Sequence, residues 1–357
     1  MMWTDGTRWA CAVMAACALL VTSAAASRAG PTLLVDATTG EVLSSENADA
    51  TWFPASLTKL MTAYVAFEAV KSGKLAWNGP LALSDKARGQ PATRIGLKAH
   101  IPLTIEGGVR GMIMRSANDF SMALAEAIGG SEEGFADIMN ATAKRLGMTR
   151  TRFANPHGLP DPQQITTARD MAILTLALLR DFPDRAEVFA TPQFVIHKGT
   201  FHSQNELMRT FPGADGMKTG FTCGAGYNIV ASATRNGRRM IVVVLGGVTR
   251  AARAQTAAEL LQAGFDHVDG VKRAEKPVRL AELPLSAPEL IPVHDMSRET
   301  QTRKCGNRGP RVQVARPGTK IKGEKAKAQA AAKGSATQTA AKTTTPQAVV
   351  KKGEAGR

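Results

Sequence analysis

FPASLTKLMTAY, residues 53–64, is the stretch on which the reading of this chain turns. It opens an apolar helix. Leu57, Leu60, Met61, Tyr64, Val65 and Ala69 recur at helical spacing, and Gly73 supplies a stop. Ser56 and Lys59 stand three apart, so both side chains leave one face of the first turn. A serine before an apolar helix ordinarily caps it. A serine beside a lysine also suits a nucleophile with its base. This stretch alone leaves both readings open.

Outward from it, the chain of 357 residues is 44% hydrophobic, enough for one large domain or two modest ones. Its formal charge of +15 is unevenly spread. Residues 297–357 carry fifteen Lys and Arg against three Glu, so the rest of the chain is close to neutral. Residues 10–21, ACAVMAACALLV, have the length and apolarity of a signal-peptide core. They are too short to span a bilayer comfortably. Ala24 and Ala26 provide the small residues that cleavage needs, so export with cleavage after Ala26 is expected. The weakly basic start, Arg8 against Asp5, keeps an uncleaved anchor as the alternative.

Without residues 1–26 the chain keeps two cysteines, Cys223 and Cys305, which is no disulfide framework, so a hydrophobic core is expected to hold the body together. The six histidines are scattered without metal-ligand spacing, and no metal or cofactor is expected.

Residues 32–48 read as a hairpin turning at Thr38-Thr39-Gly40. After the helix at 53–64, residues 77–108 look irregular and rich in Gly and Pro. A second apolar helix covers about 119–128, and a third is capped by Ser131 with Glu132 and Glu133 at its positive end. A fourth follows Thr167, with Asp170 as a capping-box variant, and stops before Pro183. YNIVASAT and MIVVVLGG flank Asn236-Gly237, a strong hairpin signal, and a last helix at about 253–262 is closed by Gly264. Strands at both ends with helices between imply an α+β body at 27–270 built on one antiparallel sheet. A Pro-punctuated connector follows at 271–296. The composition of 297–357 cannot offset ordering entropy, so a disordered basic tail is expected there.

Two further segments weigh on Ser56. Ser116-Ala117-Asn118 stands at the lip of the second helix, and Lys218-Thr219-Gly220 is the chain's only K-T-G. Ser-x-N also occurs at Ser45 and Ser203, so order and context carry the argument rather than the tripeptide. S-x-x-K, S-x-N and K-T-G in this order form the constellation of active-site serine penicillin-recognising enzymes, which favours the nucleophile over the cap. Lys59 serves as base only if neutral, which calls for burial and a nearby cation, and Lys218 is the natural one.

At these residues the chain resembles the serine D-alanyl-D-alanine carboxypeptidases, the low-molecular-mass penicillin-binding proteins. FPASLTKLMTAYVAFE, RSANDFSMALAEAIGG, RFANPHGLPD, TTARDMA and DGMKTGFTCGAGYNIVASA all look like family segments. The resemblance implies a five-stranded antiparallel sheet with helical clusters on both faces. It implies Ser56 as the acylated nucleophile, Lys59 as its base, and Ser116 with Asn118 as a second wall. Lys218 and Thr219 would lie on the substrate-holding strand, with an oxyanion hole at the backbone N–H groups of Ser56 and Phe221. Arg253, or Arg250 beside it, would pair with the substrate's terminal carboxylate.

The implied substrate is the D-Ala-D-Ala end of peptidoglycan stem peptides in the bacterial periplasm or wall space, with β-lactams as covalent inhibitors. A DD-endopeptidase, a class A-like β-lactamase and a non-catalytic wall-binding protein remain the alternatives. The β-lactamase would need an E-x-x-L-N segment, and none lies between Asn118 and Lys218. The tail has no apolar stripe for an anchoring helix and no aromatic residues to stack bases. Such a tail could bind anionic membrane, wall polymer or a partner by charge, with a solubilising extension as the alternative, and nucleic acid is not expected.

Overall fold

Strands from the two ends of the body meet in one sheet. The computed structural model describes residues 30–91, 93–197, 199–270, 277–285, 293–300 and 305. Strands β1 (Thr32–Asp36) and β2 (Glu41–Glu46) come first. Helices α1 (Lys59–Lys71), α2 (Ile105–Arg115), α3 (Asn118–Gly129), α4 (Glu132–Leu146) and α5 (Ala168–Asp181) follow. Then come β3 (Gln193–Ile196), β4 (Gly199–His202), β5 (Ala214–Thr222), β6 (Gly226–Arg235), β7 (Arg238–Gly247) and helix α6 (Arg250–Gly270). The main sheet has the order β2-β1-β7-β6-β5 and is antiparallel throughout, while β3 and β4 form a separate hairpin. Leu34 of β1 stands opposite Val242 of β7, which joins residues 208 positions apart.

Alternation along the strands builds two cores. Ile241, Val243 and Leu245 face the layer of α1 to α5, whereas Met240, Val242 and Val244 face α6 with Ala257, Leu261 and Phe265. That is why MIVVVL is a continuous apolar run: β7 is covered on both faces. Asn236 and Gly237 both take positive φ, 50° and 74°, as a two-residue turn matched to strand twist requires.

Several expectations are corrected. Residues 105–115 are helical where irregular chain was expected to 108. The glycines are there because α2 packs closely: a Cβ on Gly111 would fall 2.6 Å from the Phe120 ring, and one on Gly108 2.4 Å from Leu81. Helix α6 runs through Gly264 to Gly270, and a Cβ at 264 would meet Leu34 at 3.0 Å, so this glycine admits the sheet instead of ending the helix. Thr167 caps α5 by accepting from the Asp170 N–H at 3.0 Å. The Asp170 carboxylate does not complete a capping box; it accepts from Arg150 N and Thr151 Oγ1.

Cys223 and Cys305 are disulfide-bonded, 82 residues apart, rather than two thiols. Residues 297–300 lie against the body, not in a tail: Met296 N donates to Gly224 O, and Thr300 Oγ1 reaches Cys223 O at 3.3 Å. Part of the connector is fixed too, since Leu280 N donates to Gly40 O at 2.8 Å and Arg169 Nη1 to Leu283 O. The expected signal peptide at 1–26 lies outside the described residues, as do residues 301–304 and 306–357 of the expected tail. No described helix is long and apolar enough to cross a membrane.

A crosslink closing so long a loop restricts the unfolded chain strongly. Reduction, or Cys305→Ser, is expected to lower stability by about 2–4 kcal/mol. Urea denaturation with and without a dithiol checks it, and coincident curves would show that the bond stabilises nothing.

Candidate active site

The nucleophile candidate sits in a single 3-10 turn, Ala55–Thr58, that runs directly into α1. Ser56 makes no capping hydrogen bond, because Pro54 occupies the cap position and α1 itself starts at Lys59. The turn is pinned from below by Asn228, a fully buried side chain on β6. Its Nδ2 donates to Phe53 O at 2.9 Å and Pro54 O at 3.2 Å, and its Oδ1 accepts from Gly246 N. Trp52 Nε1 adds a bond to Ala225 O. Neither anchor was singled out from the sequence. A lone Asn in an apolar strand was the available signal, because a buried amide must find partners.

Lys59 is completely buried. Its Nζ is 3.1 Å from Ser56 Oγ, 2.8 Å from Asn118 Oδ1 and 2.5 Å from His157 O. Burial holds its pKa well below 10.5, the charge of Lys218 lowers it further, and Asp119 opposes this. The carbonyl of His157 comes from the loop at 153–159, which closes over the start of α1. Thr62 Oγ1 donates to Pro156 O at 2.6 Å, and Gln164 Nε2 links Thr58 Oγ1 to Asn155 Oδ1. Gly158, at φ +84°, passes so near Ala55 O that a Cβ there would lie 1.8 Å away.

Ser116 and Asn118 come from the junction of α2 and α3. Ser116 ends α2 in the left-handed region, φ 61° and ψ 35°. Its Oγ is buried with no hydrogen-bond partner among the described residues. A native buried hydroxyl in that state calls for an explanation, and a ligand is the natural one. Asn118 is held by Nδ2 donating to Pro91 O, so its Oδ1 is aimed at Lys59.

The third wall is β5, an edge strand with one side unpaired in the sheet. Alternation puts Lys218 and Gly220 on one face and Thr219 and Phe221 on the other. A Cβ on Gly220 would sit 3.0 Å from Pro54 O and 3.1 Å from Ser56 N, so a side chain there would press on the nucleophile turn. Lys218 is buried, bonds Thr219 O at 2.7 Å, and has its pKa lowered to about 7 by burial and by Arg253. The Phe221 ring stacks on Tyr227 at 4.3 Å. Lys59 thus ties Ser56 to Asn118 by hydrogen bonds, and β5, which carries Lys218 and Thr219, passes the nucleophile turn at Gly220.

Between the two arginines the difference is burial: Arg253 is 3% exposed and Arg250 67%. Arg253 lies by β6, with Nη1 on Asn228 O, and it is already paired with Glu206.

Comparison with known proteins gives the family. Residues 19–249 match the family model described as D-alanyl-D-alanine carboxypeptidase. The chain is 41% identical over 240 residues to D-alanyl-D-alanine carboxypeptidase DacC of Escherichia coli, covering 65% of this chain and 60% of that protein. The chain spans 60–65% of the length of the first curated relatives it matches. Penicillin binding protein 5 from Haemophilus influenzae superposes with a TM-score of 0.64 at 37% identity, covering 66% of this chain and 70% of that one. Penicillin-Binding Protein D2 from Listeria monocytogenes, in its ampicillin-bound form, gives 0.62 at 32% identity, with 66% and 97% covered. With the family model matched across most of the body, this chain belongs to the D-alanyl-D-alanine carboxypeptidase family.

Proposed function

We propose that this protein is an exported serine DD-carboxypeptidase that removes the terminal D-Ala from peptidoglycan stem pentapeptides. The observation that carries the proposal is the buried Lys59, bonded to Ser56 Oγ at 3.1 Å with its pKa held down by burial and by Lys218. A neutral amine beside a hydroxyl is what a serine nucleophile lacking a histidine needs.

In the proposed reaction the peptide lies along the open side of β5, adding a strand to the sheet edge. Ser56 Oγ attacks the carbonyl of the penultimate D-Ala and passes its proton to Lys59 Nζ. The N–H groups of Ser56 and Phe221 hold the oxyanion. The proton then reaches the leaving D-Ala nitrogen through Ser116 Oγ, the C–N bond breaks, and an ester on Ser56 remains. Water hydrolyses that ester and restores the serine. A β-lactam would acylate Ser56 by the same attack, since its ring amide stands where the scissile amide does. The N-terminal segment would direct export to the periplasm or wall space, and the basic tail would contact anionic membrane or wall polymer.

The test is to incubate the protein with a D-Ala-D-Ala pentapeptide and, separately, with a crosslinked peptide dimer. Free D-Ala is assayed, and a penicillin adduct is mapped by peptide mass. D-Ala release with the adduct on Ser56 is expected. Cleavage of the dimer alone would make the protein an endopeptidase, and an adduct elsewhere would remove Ser56 from the mechanism.

A pH profile tests the base. Acylation should rise with pH as Lys59 gives up its proton. Lys218 lowers the Lys59 pKa, so Lys218→Met should raise it and move the rising limb toward alkaline pH. The measurement is the penicillin acylation rate from pH 5 to 10. A limb that stays in place would mean that the group titrating is not Lys59.

A further inference from the structure

Arg253, to which the family resemblance gives the substrate's terminal carboxylate, already carries a carboxylate from its own chain. Its guanidinium is 3% exposed, with Nη1 on Asn228 O at 3.3 Å and Nη2 on Glu206 Oε2 at 2.5 Å. Its Nε and the Glu206 Oε1 are both buried without a hydrogen-bond partner among the described residues. Arg250 Nε lies 3.3 Å from that same Oε1, close enough for an ion pair but not aligned for a hydrogen bond. Glu206 is therefore held between a buried arginine and an exposed one. The buried arginine is the one whose charge reaches Lys218.

We propose that Glu206 is a specificity-determining counter-ion. It competes with the terminal carboxylate of the substrate for Arg253, and so weakens carboxylate-ended acyl donors relative to neutral ones. The inference rests on the carboxypeptidase reading. Two carboxylates on one guanidinium repel, so an incoming one must share Arg253 or displace Glu206. Displacement has a destination, because Arg250 is already within ion-pair distance and largely in solvent. The unpaired Arg253 Nε is a donor that the internal carboxylate leaves unused, and a second carboxylate can take it.

Glu206→Gln separates charge from position. The amide oxygen still accepts from Arg253 Nη2, so the guanidinium stays in place while its positive charge is no longer neutralised. KM for D-Ala release from the pentapeptide is expected to fall roughly three- to tenfold, with kcat within about twofold. The second-order rate of acylation by benzylpenicillin should rise by a similar factor, and the gain for its methyl ester should be much smaller. Glu206→Asp, which keeps the charge, should show no such fall in KM. An unchanged or raised KM in Glu206→Gln would overturn the proposal. So would equal gains for acid and ester, or a fall in Glu206→Asp matching that in Glu206→Gln. If the wild type releases no D-Ala at all, the carboxypeptidase reading fails instead, and the penicillin and ester pair still decides the role of Glu206.

Discussion

Lys59→Met is expected to lower penicillin acylation and peptide turnover by about 10³–10⁴-fold or more while leaving the protein folded. Methionine has nearly the volume and the unbranched shape of lysine, so the fully buried site stays filled. What is lost is the only amine within hydrogen-bond reach of Ser56 Oγ among the described residues. Keeping a lysine buried, with its amine stripped of solvent and proton, also carries a cost that methionine lacks, so thermal stability should hold or rise despite the loss of the bonds to Asn118 and His157. Lys59→Arg should be as inactive, because a guanidinium stays protonated and cannot accept the proton. Ser56→Ala gives the limit: no covalent adduct at all. Rapid-mix labelling together with a melt checks the series. A Lys59→Met protein that acylates within tenfold of wild type would end the lysine-base mechanism.

Gly158→Ala is expected to be the most damaging glycine-to-alanine change among the described residues. The added Cβ would lie 1.8 Å from Ala55 O and 3.0 Å from Ser56 N, at a φ of +84°. Left-handed strain for alanine costs about 1–2 kcal/mol. Overpacking adds about 1–3 kcal/mol, for a total of roughly 2–5 kcal/mol. The clash is with backbone on the nucleophile turn, so relief must move Ser56 or withdraw His157 O from Lys59. A shift near 1 Å there costs about a hundredfold in rate. Gly147→Ala isolates the strain, since it has φ +82° with nothing within 4 Å of the added atom. It should lose only about 1–2 kcal/mol and keep its acylation rate. Denaturant curves and labelling of both variants check the pair, and equal losses would show that φ alone decides.

Much of the architecture was legible because its signals are local. Leu60, Met61, Tyr64 and Val65 are buried in α1, with Leu57 buried in the turn before it, and Ser131 caps α4 by accepting from Gly134 N at 3.0 Å. Asn236-Gly237 turns the β6–β7 hairpin. Helix α2 was partly missed for an equally physical reason. Its Gly107, Gly108 and Gly111 depress helix propensity, and the gain that outweighs this is close packing on Leu81 and Phe120, which lie outside the helix itself. The Cys223–Cys305 bond was missed because a spacing of 82 residues says nothing about distance.

The sequence by itself determined the chemistry available. A serine and a lysine one turn apart, a Ser-x-Asn at a helix lip and a K-T-G entering a strand are covalent facts that survive any folding. Only the tertiary structure decided what those groups are. It buried Lys59 beside Lys218, which takes a lysine pKa down from its ordinary value because desolvation and like charge both oppose protonation. It set Gly158 and Gly220 against the nucleophile turn, and Asn228 beneath it, from segments about a hundred or more residues away. It placed Glu206 on Arg253, a pairing across 47 residues. Proximity across such separations depends on the whole packed core, so no local pattern could carry it.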